Sequence, residues 1–310
     1  METRAVTAPP IPEAFIWRRL HSLTGIWLTG YIIFHLLTNS QSALWFGEDG
    51  RGFIRAVNAI QEMPYLPVLE FIILAVPILI HAIWGIKYAL TAKMNSFGST
   101  GKTPYLPEYP RNHSYTWQRI TAWLLIIGIA AHVIHMRFID RPLAVPHGTG
   151  YNYIVKIDKD AGLTTLAARL GVTLYDQQQI DQQKGKSEEN SDSVLAQEAK
   201  LHNQWVSGLK KYPLRPGEII AVSDNYGTAE LLVVRETFKM PIMIVLYTLL
   251  VLAACYHGFN GLWTFMISWG ITLTKRSQDL MMRVAVFLMV LVALLGLSSV
   301  WLTYWVNLKQ

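Results

Sequence analysis

The sequence predicts an all-α membrane protein of five transmembrane helices, with an α+β insertion between the third and fourth. Three observations predict it. Of 310 residues, 52% are hydrophobic and only 15% are charged, against about 25% charged in soluble domains. Five apolar runs reach the roughly 20 residues that a helix needs to cross a hydrocarbon core of ~30 Å. The stretch Asp140–Lys239, by contrast, carries 12 Lys/Arg and 13 Asp/Glu, the polar composition of a folded soluble unit.

The spans read as Leu20–Leu37, Leu66–Ala89, Ile120–Met136, Pro241–Thr264 and Val284–Val306. Inside a bilayer the backbone must satisfy its own hydrogen bonds, so each is a helix. The chain divides into 1–139 (the first three helices and a cytoplasmic N-terminus), 140–239 (an extracytoplasmic insertion, partly flexible) and 240–310 (the last two helices). The start, METRAVTAPPIPEAF, is polar and Pro-rich, unlike the short apolar core of a cleavable signal. The spans are therefore expected to act as their own insertion signals. The single cysteine, Cys255, excludes a disulfide framework and a four-cysteine cluster within this chain.

Orientation follows from the basic residues. With the N-terminus inside, Arg4, Arg18, Arg19, Lys87, Lys93, Lys102, Arg111, Arg119, Lys275, Arg276 and Arg283 are cytoplasmic. Outside, apart from the insertion, lie only Arg51, Arg55, Arg137 and Lys309. This predicts a multi-pass protein of the inner (cytoplasmic) membrane. Its basic loops face anionic lipid or a partner protein. Nucleic acid is not an expected partner, because the basic residues border spans and form no continuous face.

Within the insertion, YNYIVKID and LRPGEIIAVSDNYGTAELLVVRE read as strands with turns between them. LTTLAARLGVTLYD reads as a short helix closed by Gly171, and QQQIDQQKGKSEENSDS as flexible polar chain.

The chemistry lies in the histidines. Of nine, His113, His147 and His202 fall in loops, and His21 sits at the membrane edge beside Arg18 and Arg19. His35, His81, His132, His135 and His257 lie within four successive spans. A lone intramembrane histidine most often bridges helices. Four helices that each carry one suggest a site built in a bundle core. His35 lies 16 residues past Arg19, roughly 24 Å along a helix, in the outer half with His132 and His135. His81 lies six residues before Lys87, in the inner half, and His257 is more central. Depth thus pairs His35 with His132 or His135, and His81 with His257. Two pairs of neutral imidazoles suit two six-coordinate haems. A dinuclear carboxylate site fails because Glu70 is the one acid in a span, and zinc fails because the histidines lie at two depths.

The motifs FIWRRLHSLTG and YIIFHLL, VPILIHAIWGIKYALTAK, WQRITAWLLIIGIAAHVI and YHGFNGLWTFMISWGITLTKRSQ resemble the di-haem cytochrome b subunit of succinate:quinone oxidoreductases, the single-anchor type. The resemblance covers roughly 15–137 and 240–283. It implies a four-helix di-haem bundle with two haems b, ligated by His35, His81, His132 and His257, His132 being selected over His135 by its spacing from Gln118 and Arg119. It also implies partner flavoprotein (FAD) and iron–sulfur subunits, and electron transfer to or from quinone, menaquinone or ubiquinone. Haem propionates would be met by polar groups such as Arg18, Arg19, His21, Ser22 and Arg119. The competing role for these is reaching lipid headgroups. Candidate quinone neighbours are His21, Arg19 and Trp17 on one side, and Asn39 or Glu70 on the other. Asp140–Lys239 has no counterpart in the family's common pattern. Competing readings are a quinol:fumarate reductase anchor, a proton-coupled transporter whose histidines relay protons, and a haem-free anchor.

Overall fold

The computed structural model describes residues 11–43, 48–91, 106–147, 150–188 and 196–306. The basic residues Arg4, Lys93, Lys102 and Lys309 of the orientation reading lie outside them. In chain order the elements are α1 (Glu13–Ser40), α2 (Arg51–Gln61), α3 (Leu66–Thr91), α4 (Pro110–Ile139), β1 (Leu143–His147), β2 (Gly150–Asp158), α5 (Leu163–Leu170), β3 (Thr173–Tyr175), α6 (Gln177–Glu188), α7 (Ala196–Lys210), β4 (Glu218–Ser223), α8 (Tyr226–Thr237), α9 (Pro241–Ser268) and α10 (Lys275–Val306). Among them α1, α3, α4, α9 and α10 are long and apolar enough to cross a membrane. Each contains one of the five spans read from the sequence. Two π-helical stretches interrupt them, Phe71–Ala75 in α3 and Ile134–Ile139 at the end of α4.

The chain forms two compact units. One comprises the described residues of Met1–Ile33, Pro67–Ile126 and Ala253–Val290; the other those of Phe34–Leu66, Ile127–Leu252 and Leu291–Gln310. In the first, polar groups tie the helices together. Thr29 Oγ1 donates to the Gly258 carbonyl at 3.3 Å, and Gln118 Nε2 to the His257 carbonyl at 3.2 Å. Trp27 Nε1 donates at 2.8 Å to the carbonyl of Ile73, within the π-helical stretch of α3. Such bonds join helices where lipid supplies no hydrophobic drive. The helices cross closely at Gly258, where a Cβ would lie 3.3 Å from Thr29 Oγ1.

The second unit holds the insertion. Its antiparallel sheet has the order β1-β2-β4-β3, with Leu143 opposite Ile154, Val155 opposite Ala221 and Leu174 opposite Ala221. Successive β4 residues face opposite sides. Ile219 and Ala221 pack with Leu163, Leu166, Leu232 and Val233 of α5 and α8. Ile220 and Val222 pack with Ile180, Trp205 and Leu209 of α6 and α7. Helices on both faces explain the unbroken apolar run Ile219–Val222.

Two insertion readings are corrected. Tyr226–Thr237, read as strand, is helix α8. Its interior, Leu231–Arg235, is buried on every side, so no amphipathic period marks it. Asn225 caps it, accepting from Thr228 N at 3.0 Å. Gln177–Glu188, part of the stretch read as flexible, is helix α6. Asp176 Oδ1 accepts from Gln179 N and Gln179 Oε1 from Asp176 N, both at 2.8 Å, a reciprocal capping box. Gly171 closes α5 at φ 68°, as the sequence predicts.

Helix α2 went unread in the sequence. It buries Phe53 and Ile54 and crosses α8 closely. A Cβ on Gly227 would lie 2.5 Å from the Ile54 carbonyl oxygen. Asn58 seals the crossing: its Oδ1 accepts from Gly227 N at 2.8 Å and its Nδ2 donates to Asn225 Oδ1 at 3.0 Å. At the far end of α8, buried Arg235 holds Asp160 with two 2.7 Å hydrogen bonds, and Lys239 joins at 2.8 Å. Burial opposes ionisation of Asp160, but these cations outweigh it and hold the carboxyl well below the usual range.

Candidate functional site

The structure brings the intramembrane histidines together in two pairs. His35 of α1 and His132 of α4 have ring centroids 5.9 Å apart and planes at 75°. His81 of α3 and His257 of α9 are 6.1 Å apart, with planes at 83°. Two imidazoles bound trans to one metal, each nitrogen about 2 Å from it, place their centroids roughly 6 Å apart. Both pairs have that separation. Among the described residues no three or more His, Cys, Asp or Glu side chains form a metal-holding cluster. A haem needs only two from the protein, since the macrocycle supplies the other four nitrogens.

A ligating histidine is normally fixed through its other ring nitrogen. His132 Nδ1 lies 3.3 Å from the Tyr247 hydroxyl. His257 Nδ1 lies 3.2 Å from Thr121 Oγ1. His81 Nδ1 lies 3.0 Å from the His21 carbonyl oxygen and 3.5 Å from Thr24 Oγ1. The carbonyl partner requires His81 to carry its proton on Nδ1, and the hydroxyl partners of His132 and His257 accommodate the same tautomer, with Nε2 left as the donor to a metal. His35 differs: its Nε2 is 3.4 Å from Asn39 Nδ2, which also donates to the His35 carbonyl at 2.9 Å.

His135, which depth alone left as an alternative to His132, has both nitrogens engaged. Nδ1 is 3.1 Å from the Tyr247 hydroxyl and Nε2 is 2.9 Å from Asp140 Oδ2. It lies in the π-helical stretch, whereas His132 ends the regular part of α4.

His21 is not turned towards headgroups. Its ring stacks on His81, centroids 4.1 Å apart and planes within 11°, and its Nδ1 lies 3.1 Å from the His81 carbonyl. Gly25 leaves room for that His81 ring, because a Cβ would come within 2.9 Å of Cε1. Trp17 stacks on Trp84 at 4.5 Å. Arg19 Nη1 donates to the Ser268 carbonyl at 2.8 Å, and its guanidinium lies over Trp269 at 4.8 Å. Ser22 Oγ accepts from Trp269 Nε1 at 3.1 Å. Arg19 and Ser22 thus meet at the C-terminal end of α9, Arg119 lies over Tyr115, and Arg18 is exposed. Glu70 is half-buried at the edge of the π-helical stretch of α3.

The sequence reading missed Tyr247, Asp140, Thr24 and Thr121. Tyr247, Thr24 and Thr121 sit in apolar runs with no spacing that ties them to a histidine, and Asp140 looked like the first residue of a loop. A hydroxyl within a span was the available signal.

The architecture is thus a helical membrane protein with paired intramembrane imidazoles. Along its length it is similar to a Bacillus subtilis (strain 168) protein named succinate dehydrogenase cytochrome b558 subunit, 24% identical over 287 residues, which cover 92% of this chain and 95% of the relative. This agrees with the resemblance read from the helix motifs. No protein-family model matches the chain, and no solved structure matches it.

Proposed function

We propose that this chain is the cytochrome b membrane anchor of a succinate:quinone oxidoreductase. In this reading it holds two haems b, one by His35 and His132 and one by His81 and His257. It passes electrons between an iron–sulfur subunit, itself served by a flavoprotein, and quinone. The observation that carries the reading is the pair of histidine couples, with ring centroids 5.9 and 6.1 Å apart, each of which could hold one haem. Similarity to a named cytochrome b558 subunit over nearly the whole chain supports it.

Haem supplies one-electron chemistry when bound. The chain's own residues do the rest. Tyr247, Thr121 and the His21 carbonyl hold three of the ligand rings through Nδ1. Apolar helix faces keep water from the imidazoles, which sets the local dielectric and hence the potential. Arg19 and Ser22, gathered where α9 ends, supply a cation and a hydroxyl for a propionate or a quinone oxygen. The N-terminus and these groups lie on the cytoplasmic side, where the partner subunits dock, and the insertion lies outside.

A reduced-minus-oxidised spectrum of the purified chain, with haem-to-protein stoichiometry, tests the proposal. Two b-type haems per chain are expected. Their absence would contradict it and favour a haem-free anchor or a transporter.

A further inference from the structure

Beyond the ligands, one set of side chains runs from His132 to the edge of the insertion. His132 Nδ1 is 3.3 Å from Tyr247 Oη, Tyr247 Oη is 3.1 Å from His135 Nδ1, and His135 Nε2 is 2.9 Å from Asp140 Oδ2. The donors and acceptors fit one polarity. A hydroxyl has a single proton and can donate once while accepting. An ionised carboxylate only accepts, so a neutral His135 donates from Nε2 and its Nδ1 is an acceptor. Tyr247 O–H therefore donates to His135 Nδ1, which leaves its oxygen to accept from His132 Nδ1–H. The opposite polarity would need a protonated Asp140 or a doubly protonated His135. The carboxylate stands at the partly open end of the chain, with its side chain 36% exposed.

We propose that Tyr247, His135 and Asp140 act as positioning residues, a directed hydrogen-bond chain that holds His132 in the Nδ1–H tautomer. Its Nε2 then serves as metal donor, and its ring receives electron density from a carboxylate two side chains away. The proposal rests on the di-haem reading. It gives His135 a role other than ligand, and it links a ligand of one haem to the first residue of the insertion. Among the described residues the His257 ring has no such chain. Its Nδ1 meets Thr121, whose hydroxyl also lies within hydrogen-bonding distance of the Trp117 and Gln118 carbonyls of its own helix. Phe238 steadies Tyr247 from the insertion side, ring centroids 5.3 Å apart and nearly perpendicular. Hydrogen bonding from ligand imidazole to an acceptor raises ligand basicity and stabilises the oxidised metal. Cutting the chain therefore raises the potential of one haem.

The test is a spectroelectrochemical titration of the full chain with its haems, together with low-spin electron paramagnetic resonance, on Tyr247→Phe, Asp140→Asn and Thr121→Val. Tyr247→Phe keeps the ring and removes only the hydroxyl. The expected result is two haems retained, with the potential of one shifted upward, its resonance altered and the other haem unmoved. Asp140→Asn shifts the same haem in the same direction by a smaller step, and Thr121→Val moves the other haem alone. Unchanged potentials and resonances in Tyr247→Phe, or equal shifts of both haems, would overturn the chain. Should Tyr247→Phe fail to fold, Asp140→Asn decides: a rise at one haem supports the chain, and no shift overturns it. A native chain without haem would instead overturn the parent reading.

Discussion

The two histidine pairs have nearly the same ring separation, yet their surroundings differ. Around His81 and His257 the supports are short and belong to the helices: a backbone carbonyl, two threonines and the stacked ring of His21. Around His132 the support is a chain of side chains ending at Asp140, the first residue of the insertion. Equal ring separation therefore does not mean equal support. A ring held by a hydroxyl that also bonds its own helix depends on that helix alone, whereas one held through a chain to Asp140 is linked to the insertion.

The largest effects should come from the ligands. His132→Ala and His257→Ala are each expected to lose one haem and keep the other, as read from haem stoichiometry. Loss of both in either variant would show that the pairs do not bind independently.

Arg235→Ala sharpens the contrast from the insertion side. Removing one partner of a buried ion pair costs about 3–5 kcal/mol, and Asp160 would keep Lys239 as its remaining cation. Thermal denaturation should show that loss.

Glu230 makes the same point through pH. Burial pushes its carboxyl from the ordinary 4.5 up to about 7, although Tyr226, Arg141 and Arg137 pull the other way. Folding therefore favours the protonated form. Its stabilisation is full below about 4.5 and is lost as pH rises through about 7. Glu230→Gln should match the native protein near pH 4 and exceed it at pH 8 by roughly 3 kcal/mol, measured by denaturation at both values. A difference independent of pH would contradict this.

Gly25→Ala is the smallest change and acts on the other pair. The new Cβ would lie 2.9 Å from His81 Cε1, an overpacking worth about 1–3 kcal/mol. It should disturb the His81–His257 haem alone.

Much of this was legible in the sequence for physical reasons. Apolar runs of membrane length have few competing readings, and histidines inside them are costly enough to signal a role. Charged flanks then give depth, and depth alone groups His35 with His132 or His135 and His81 with His257. The insertion was harder. Helix α8 is buried all round and loses its period, α6 hid behind a Gln-rich composition that a capping box makes helical, and α2 is short and sits between two spans. The support of the rings was not legible at all, because Tyr247 and Thr121 become neighbours of histidines only when α4 and α9 pack.

The central claim is that His132, and not His135, is the ligand opposite His35, with His135 in its support. Haem stoichiometry of His132→Ala and His135→Ala, each made separately in the full chain, tests it most directly. One haem in the first variant and two in the second is the predicted outcome. Loss of a haem with His135→Ala and retention of both with His132→Ala would contradict it.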